Sequence, residues 1–144
     1  MIIASKYRKI IFATEPQRAL DIRENILDSQ HPDVASALNN LALIYESMGC
    51  YEKALPLYQR TYDIYENVLG PQHPSFATPL HNLAILYERM GDYEKALSLY
   101  QRSLDISEKV LGPQHFDVAI TQNSLALLRK RIGDYKKRSH FIKK

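Results

Sequence analysis

The feature that most constrains the fold of this chain is an internal repeat with a period of 42 residues. The segments 31–72 and 73–114 are identical at 28 of 42 aligned positions, and a third copy begins at His115. A period of this length is typical of arrays in which each unit packs against its neighbours. Such arrays offer an extended surface rather than an enclosed pocket, so the repeat favours binding over catalysis.

Within each copy, the apolar residues predict two helices. In the first copy Leu38, Leu41 and Tyr45 share one face of a helix that a histidine–proline pair opens and a glycine closes. A second, longer apolar pattern follows. The spacing therefore predicts a hairpin of helix A over about 33–48 and helix B over about 51–69, and the second copy predicts the same pair.

Two prolines conflict with this simple pattern. Pro56 and Pro79 each fall about a turn and a half into a predicted helix. A proline inside a helix removes one backbone hydrogen bond and bends the axis. Either tertiary packing compensates for that loss, or the helix begins later than the pattern suggests.

The repeat is incomplete on both sides of the two full copies. Residues 17–30 align with 59–72 and predict a helix B that no helix A precedes. The third copy keeps Gly133-Asp134-Tyr135, which predicts a turn and a short helix B, but it has arginine at core positions 129 and 138. The expected divisions are a leader or remnant, a lone helix B, two repeats, and a degenerate C-terminal repeat with a basic tail: 1–14, 15–30, 31–72, 73–114 and 115–144.

The recurring residues resemble the tetratricopeptide repeat (TPR) signature: Leu41-Ala42, Tyr45, Gly49, Tyr51, Ala54 and Tyr58, then Leu83-Ala84, Tyr87, Gly91, Tyr93, Ala96 and Tyr100. The 42-residue period, the phrase Asn40-Leu41-Ala42 and the linker 69–74 resemble the kinesin-light-chain subtype. The resemblance implies an all-α fold. We expect a right-handed α-solenoid of about two and a half TPR hairpins with a lone helix before them.

The resemblance also implies where a partner binds, because helices A of TPR proteins line a concave groove that holds peptides. Amide side chains can both donate to and accept from a peptide backbone, and aliphatic residues beside them could receive an apolar side chain. The candidate groove residues are Asn39, Asn40, Leu43, Glu46, His81, Asn82, Ile85, Glu88, Arg89, Asn123, Leu127, Lys130 and Arg131. The alternative stays open that Asn40 and Asn82 bridge helices and that Leu43 and Ile85 pack between repeats.

Charge changes sign along this predicted groove, from Glu46 in the first copy to Lys130 and Arg131 in the third. We expect the acidic part of a partner to lie toward the C-terminal repeats. The resemblance implies the same, since kinesin-light-chain repeats take peptides with acidic flanks. The lysine-rich clamp of other TPR proteins is not matched.

The basic character of the chain is local. Eight cations against Asp134 alone give residues 129–144 a net charge of +7, so with a total of +3 the rest carries −4. This cluster could contact phosphates. Nucleic-acid binding is nevertheless the less favoured alternative, because the cluster is expected at a fraying end and the aromatic residues follow core spacing.

Other chemistry finds little support in the sequence. Cys50 is a single cysteine, so it cannot form an internal disulfide, and no apolar run is long enough to span a membrane. The repeated histidines would lie about 20 Å apart in stacked units, too far to share a metal. We expect no enzyme activity, no cofactor and no metal site, and a cytoplasmic location.

The expected function is a scaffold that holds a peptide segment of a partner protein. The alternative from another class is a structural fragment of a longer TPR array without binding activity of its own. Because array ends expose packing surface, end-to-end self-association is a further expectation.

Overall fold

The computed structural model describes residues 15–142, with side chains through His140. Regular structure in these residues is helical throughout: α1 (15–26), α2 (Pro32–Ser47), α3 (Tyr51–Ile64), α4 (Ala77–Arg89), α5 (Tyr93–Leu111) and α6 (Phe116–Ile142). The predicted all-α fold class is confirmed. The leader or remnant expected over 1–14 lies outside the described residues. The chain divides between His73 and Pro74 into two compact units, with α1–α3 in the first and α4–α6 in the second.

The start of α2 follows from its first three residues. The His31 ring atom Nδ1 accepts a hydrogen bond from the backbone N–H of Asp33 at 3.0 Å, which satisfies one of the helix's free donors. Pro32 is the first helical residue, where its missing N–H costs nothing. The same cap recurs at α6, where His115 Nδ1 accepts from the N–H of Asp117 at 3.1 Å.

The turn between α2 and α3 depends on Gly49, which has a φ of +76°. Its N–H bonds to the carbonyl of Glu46 at 2.9 Å, and the N–H of Cys50 bonds to the carbonyl of Tyr45 at 2.8 Å. This pair of bonds is a Schellman motif, which ends a helix and suits glycine. An equivalent turn follows α4 at Gly91, with a φ of +83°.

Two hydrogen bonds tie each hairpin together and recur 42 residues apart. The Tyr58 hydroxyl donates to Glu46 Oε2 at 2.6 Å, and the Tyr100 hydroxyl donates to Glu88 Oε2 at 2.8 Å. In the same way a hydroxyl of helix B donates to an alanine carbonyl near the start of helix A. These pairs are Thr61 with Ala35 (3.4 Å) and Ser103 with Ala77 (2.7 Å).

Small residues let the two helices of a hairpin approach closely. Ala42 and Ala54 are fully buried in the first hairpin, and Ala84 and Ala96 are fully buried in the second. Alanine side chains at a helix contact permit short distances between helix axes. In the second unit these two alanines share one core cluster with Tyr100 and with three residues of α6, namely Val118, Leu125 and Leu128.

The two prolines are accommodated differently. A short 3₁₀ helix, Pro74–Phe76, precedes α4. Because α4 therefore begins at Ala77, Pro79 is the third residue of α4. The first-turn N–H groups of a helix have no intrahelical partner, so Pro79 costs little there. Pro56 remains inside α3 on its exposed side. The late helix start that the sequence allowed therefore applies to Pro79 and not to Pro56.

The third copy differs from the predicted turn and short helix B. Gly133 lies inside α6, which continues to Ile142, and its φ is not positive. The reason lies in the residues that would form the returning helix. Arg138 takes the place of the buried alanines Ala54 and Ala96, and it is exposed. Folding back would bury its charge, so the helix continues straight into solvent.

Candidate functional site

The first unit presents part of the predicted groove on α2. Asn40 is exposed, Leu43 is 39% exposed and Asn39 is half-buried. Glu46 differs from the expectation, which placed it on the non-core side of its helix. It is only 5% exposed, because its carboxylate turns inward to accept the hydrogen bond from Tyr58. Asn40 and Leu43 are thus the accessible pair in this unit.

In the second unit the predicted residues of α4 are mostly half-buried. This group comprises His81, Asn82, Ile85 and Glu88, whereas Arg89 is exposed. Ile85 packs against the core cluster of the unit.

The predicted residues of α6 are all exposed, and one of them is engaged in an ion pair. Asn123, Leu127 and Lys130 lie on the surface, and the Leu127 side chain is 49% exposed. The Arg131 guanidinium donates to Glu88 Oε1 at 2.7 Å. The charges of Glu88 and Arg131 therefore offset each other, and Lys130 is the cation that remains available.

The Glu88 carboxylate also organises the interior of this unit. It accepts from the Tyr100 hydroxyl through one oxygen and from Arg131 through the other. Burial, together with the hydrogen bond to Glu88, raises the pKa of Tyr100 above its ordinary value. The phenol therefore stays protonated and keeps donating throughout the physiological range.

His81 lies beside this network rather than on an open surface. Its Nδ1 is 3.2 Å from the Thr121 hydroxyl, and its ring meets the Tyr100 ring edge-on at a centroid distance of 5.2 Å. Burial lowers the pKa of His81, although the nearby Glu88 carboxylate opposes the effect. The imidazole is therefore neutral at physiological pH.

A cleft of about 260 Å³ opens next to His81 among α4, α5 and α6. Its lining is rich in hydroxyl groups and has apolar residues around them: Pro74, Ala77, Thr78, His81, Ser103, Ser107, Val110, Leu111, Asp117, Ile120 and Thr121. Of the residues that line this cleft, His81 alone is among the candidate groove residues inferred from the sequence.

One sequence signal could have revealed the cleft. Ser107 is the counterpart of Tyr65, which is a large side chain and only 8% exposed. The second copy thus has a small residue where the first has a buried ring. Comparing residue volumes between the copies, rather than hydrophobic pattern alone, would have indicated space at this position.

The first unit has a cleft of its own, of about 360 Å³, between α1 and α2. It is lined by Glu15, Pro16, Ala19, Arg23, Ala37, Asn40 and Ile44. The repeat places Arg23 in register with Tyr65 and Ser107, so three copies fill one position with three different side chains. The Arg23 guanidinium donates to the carbonyl of Asp33 at 2.9 Å and so links the two helices.

Within residues 15–142, no group of three histidine, cysteine, aspartate or glutamate side chains is placed to hold a metal ion. Likewise, none of the helices described here is long and apolar enough to cross a membrane.

The family model for the tetratricopeptide repeat matches this chain three times, over residues 17–67, 33–109 and 75–137. Together the matches cover most of the sequence and include both complete hairpins. The chain belongs to the tetratricopeptide repeat family. TPR repeats generally mediate protein–protein interaction.

Solved structures of kinesin-light-chain-like TPR proteins share the fold. BtubC (BKLC) from P. vanneervenii is 26% identical, with a TM-score of 0.78 over 92% of this chain and 53% of its own. A kinesin-light-chain-like protein from Podosopora anserina with nearly identical TPR-like repeats is 24% identical. Its TM-scores are 0.77 for the Q17M variant and 0.78 for the other structure, over 94% of this chain and 66% of that one.

The predicted resemblance to the kinesin-light-chain subtype is therefore confirmed. The chain spans about half to two thirds of the length of these solved proteins. No curated protein matches it significantly by sequence.

Proposed function

We propose that this TPR protein is a non-catalytic scaffold that binds an extended peptide segment of a partner. The observation that carries the proposal is the row of exposed side chains on α6, where Asn123, Leu127 and Lys130 succeed one another at helical spacing of four and three residues. An amide, an aliphatic group and a cation thus lie along one side of the helix. Such a row can bind a peptide's backbone, an apolar side chain and a carboxylate in turn.

The first unit carries a shorter version of this row, with Asn40 and Leu43 exposed on α2. The 42-residue repeat puts Leu43 in register with Leu127. An amide beside an aliphatic residue can bind the backbone and one apolar side chain of an extended peptide.

The charges refine the type of peptide. Arg131 is already paired with Glu88, so Lys130 supplies the unpaired positive charge among the proposed binding residues of α6. The proposed peptide therefore carries an acidic residue opposite Lys130. The cleft beside His81 offers a recess for one side chain of the same peptide, because Ser107 and Thr121 line it with hydroxyl groups.

Selection from a phage-displayed library of random 12-residue peptides on the full chain tests the proposal. Selected peptides should be enriched in Asp and Glu, and a synthetic copy should bind with an affinity that falls as salt rises. Leu127→Glu should weaken its binding at least tenfold, because the change places a carboxylate in the apolar contact. Lys130→Gln should weaken it less and reduce the salt dependence.

Val68→Glu is the matched control. Val68 is 47% exposed, close to the 49% of Leu127, but lies in the turn after α3 rather than on the proposed row. Equal binding by the wild-type chain and the Val68→Glu variant supports the site. Equal losses in both variants would mean that binding does not use α6, and a library that yields no binder would overturn the proposed function.

A further inference from the structure

The C-terminal part of α6 extends beyond the core of the second unit. Ile132 is the last residue described as packing against the core cluster of that unit. From Asp134 to Arg138 every side chain is exposed, and so is His140. The described part of this projection, residues 134–140, is about 10 Å of helix.

This projecting segment is strongly cationic. Lys136, Lys137 and Arg138 form no ion pair or hydrogen bond within the part of the chain that the structure describes, and neither does Lys130 one and a half turns earlier. Asp134 is the single carboxylate in the sequence from 129 to 142. Like charges at this density repel one another, so a binding partner with negative charges would stabilise the segment.

The cations surround the helix instead of forming a single face. Lys136, Lys137 and Arg138 follow one another in the chain, and each residue of a helix is rotated by about 100° from the one before it. Positive charge therefore occurs on three sides. Among the described side chains from 134 to 140, Tyr135 is the single large apolar one, whereas membrane-surface helices need a broad apolar face.

The arrangement distinguishes between possible polyanions. An extended acidic peptide lies against one side of a helix and would neutralise one or two of these three cations. The major groove of duplex DNA admits a whole helix between two walls of phosphates, so it meets several sides at once. The structure describes the cluster as part of a regular helix that continues to Ile142.

We propose that the projecting part of α6 binds duplex DNA through its phosphates without reading base sequence. The rest of the chain favours contact through this helix alone, because residues 1–128 carry a net charge of −4 and repel a polyanion. Contact is then confined to the helix. This activity is independent of peptide binding, since Lys136, Lys137 and Arg138 lie outside the proposed peptide site.

Fluorescence anisotropy tests the proposal, with the full chain titrated into a labelled random-sequence 20-base-pair duplex. The salt concentration runs from 25 to 150 mM, because non-specific binding to DNA weakens steeply as salt rises. Three phosphate contacts, one each from Lys136, Lys137 and Arg138, predict that log K falls with log salt with a slope of about −3. The triple variant Lys136→Gln/Lys137→Gln/Arg138→Gln should weaken binding at least tenfold and reduce the slope by about 2 to 3. Glutamine keeps the helix propensity, so circular dichroism should be unchanged.

Arg18→Gln/Lys53→Gln/Lys95→Gln is the matched control, because it removes three exposed cations outside α6 and changes net charge equally. It should bind the duplex as the wild type does. Equal losses of affinity in both triple variants would show that binding depends on net charge alone, and this would overturn the proposal. Failure of the full chain to bind the duplex at 25 mM salt would overturn the proposal. Competition by poly-glutamate as strong as that of unlabelled duplex at equal charge concentration would also overturn it, because the helix would then bind acidic polypeptides equally well.

Discussion

The two complete hairpins share 28 of 42 residues, and their helices begin and end differently. Both keep the glycine turn, the tyrosine–glutamate hydrogen bond and the hydroxyl bond to an alanine carbonyl. The first begins directly with α2, whereas a 3₁₀ helix precedes α4 in the second. The shared residues therefore define the hairpin, and the differing ones adjust its ends.

The C-terminal ends of α3 and α5, the second helices of the two hairpins, also differ. A π-helical turn, Tyr65–Leu69, follows α3, and the N–H of Gly70 bonds to the carbonyl of Tyr65 five residues back. The end of α5 stays α-helical, since Gly112 bonds to Glu108 four residues back. The wider turn coincides with the large buried ring of Tyr65, while its counterpart Ser107 lines a cleft. The difference between Tyr65 and Ser107 thus accompanies a change from a π-helical to an α-helical end and the presence of a cleft.

Exchanging the proline between the hairpins should give the largest effect. Ser98 lies inside α5 at the position of Pro56, so Ser98→Pro removes a helical hydrogen bond and should lower the free energy of unfolding by about 3 kcal/mol. Pro56→Ser should raise it by about 1–2 kcal/mol. Urea denaturation followed by circular dichroism measures both. If Ser98→Pro is neutral, proline is tolerated at this position of either hairpin and the contrast between them disappears.

The repeated tyrosine–glutamate bonds should each contribute measurably. Tyr58→Phe and Tyr100→Phe remove a donor to a largely buried carboxylate, so each should lower the free energy of unfolding by about 1.5–3 kcal/mol. The same denaturation assay applies, with Tyr135→Phe as the control because Tyr135 is 69% exposed. If only one of the two substitutions lowers the free energy of unfolding, the two bonds have the same geometry but contribute differently to stability.

Two glycine substitutions should have opposite signs. Gly133 lies inside α6 with open space around it, so Gly133→Ala should raise the free energy of unfolding by about 0.5–1 kcal/mol. Gly91 has a φ of +83°, so Gly91→Ala should lower it by about 1–2 kcal/mol. Thermal melts of both variants make the comparison. Destabilisation by Gly133→Ala would mean that α6 turns at this residue, as it does at Gly91.

The smallest expected effect is a pH dependence that belongs to the second hairpin. Burial holds the pKa of His81 below the ordinary 6.5, so below pH 6.5 the unfolded chain binds more protons than the folded one. Stability should therefore fall as pH drops from 7 through 6.5 toward the lowered pKa. His81→Asn, which copies Asn39 of the first hairpin, should flatten this slope in urea titrations.

His140→Asn provides the control for that titration, because His140 is exposed. It should leave the slope unchanged. An unchanged slope in His81→Asn would place the pH dependence on other groups and remove this difference between the hairpins.

The sequence predicted the parts of the fold that depend on local rules. Helix spacing, the glycine turns and the start at His31-Pro32 follow from backbone chemistry that short segments carry by themselves. The late start of α4 was one of two alternatives, and the position of Pro79 decided it. These features could be predicted because each depends on a few neighbouring residues.

The errors concern side chains whose position depends on distant residues. Glu46 was assigned to an open face, but its carboxylate meets a tyrosine twelve positions away. Gly133 carries a turn signal that the absence of an apolar returning helix overrides. The cleft beside His81 needed a comparison of volumes at one position, Tyr65 against Ser107, that periodicity does not make. The groove residues remain predictions until peptides are tested.

Because each hairpin closes on itself through bonds between its own two helices, a whole 42-residue unit is also a unit of inheritance. Unequal crossing-over between the two related stretches would add or delete one complete hairpin in frame and leave its internal bonds intact. Lengthening or shortening such a gene is thus far gentler on folding than removing a single turn of any helix, and array length can drift between lineages while the individual module persists.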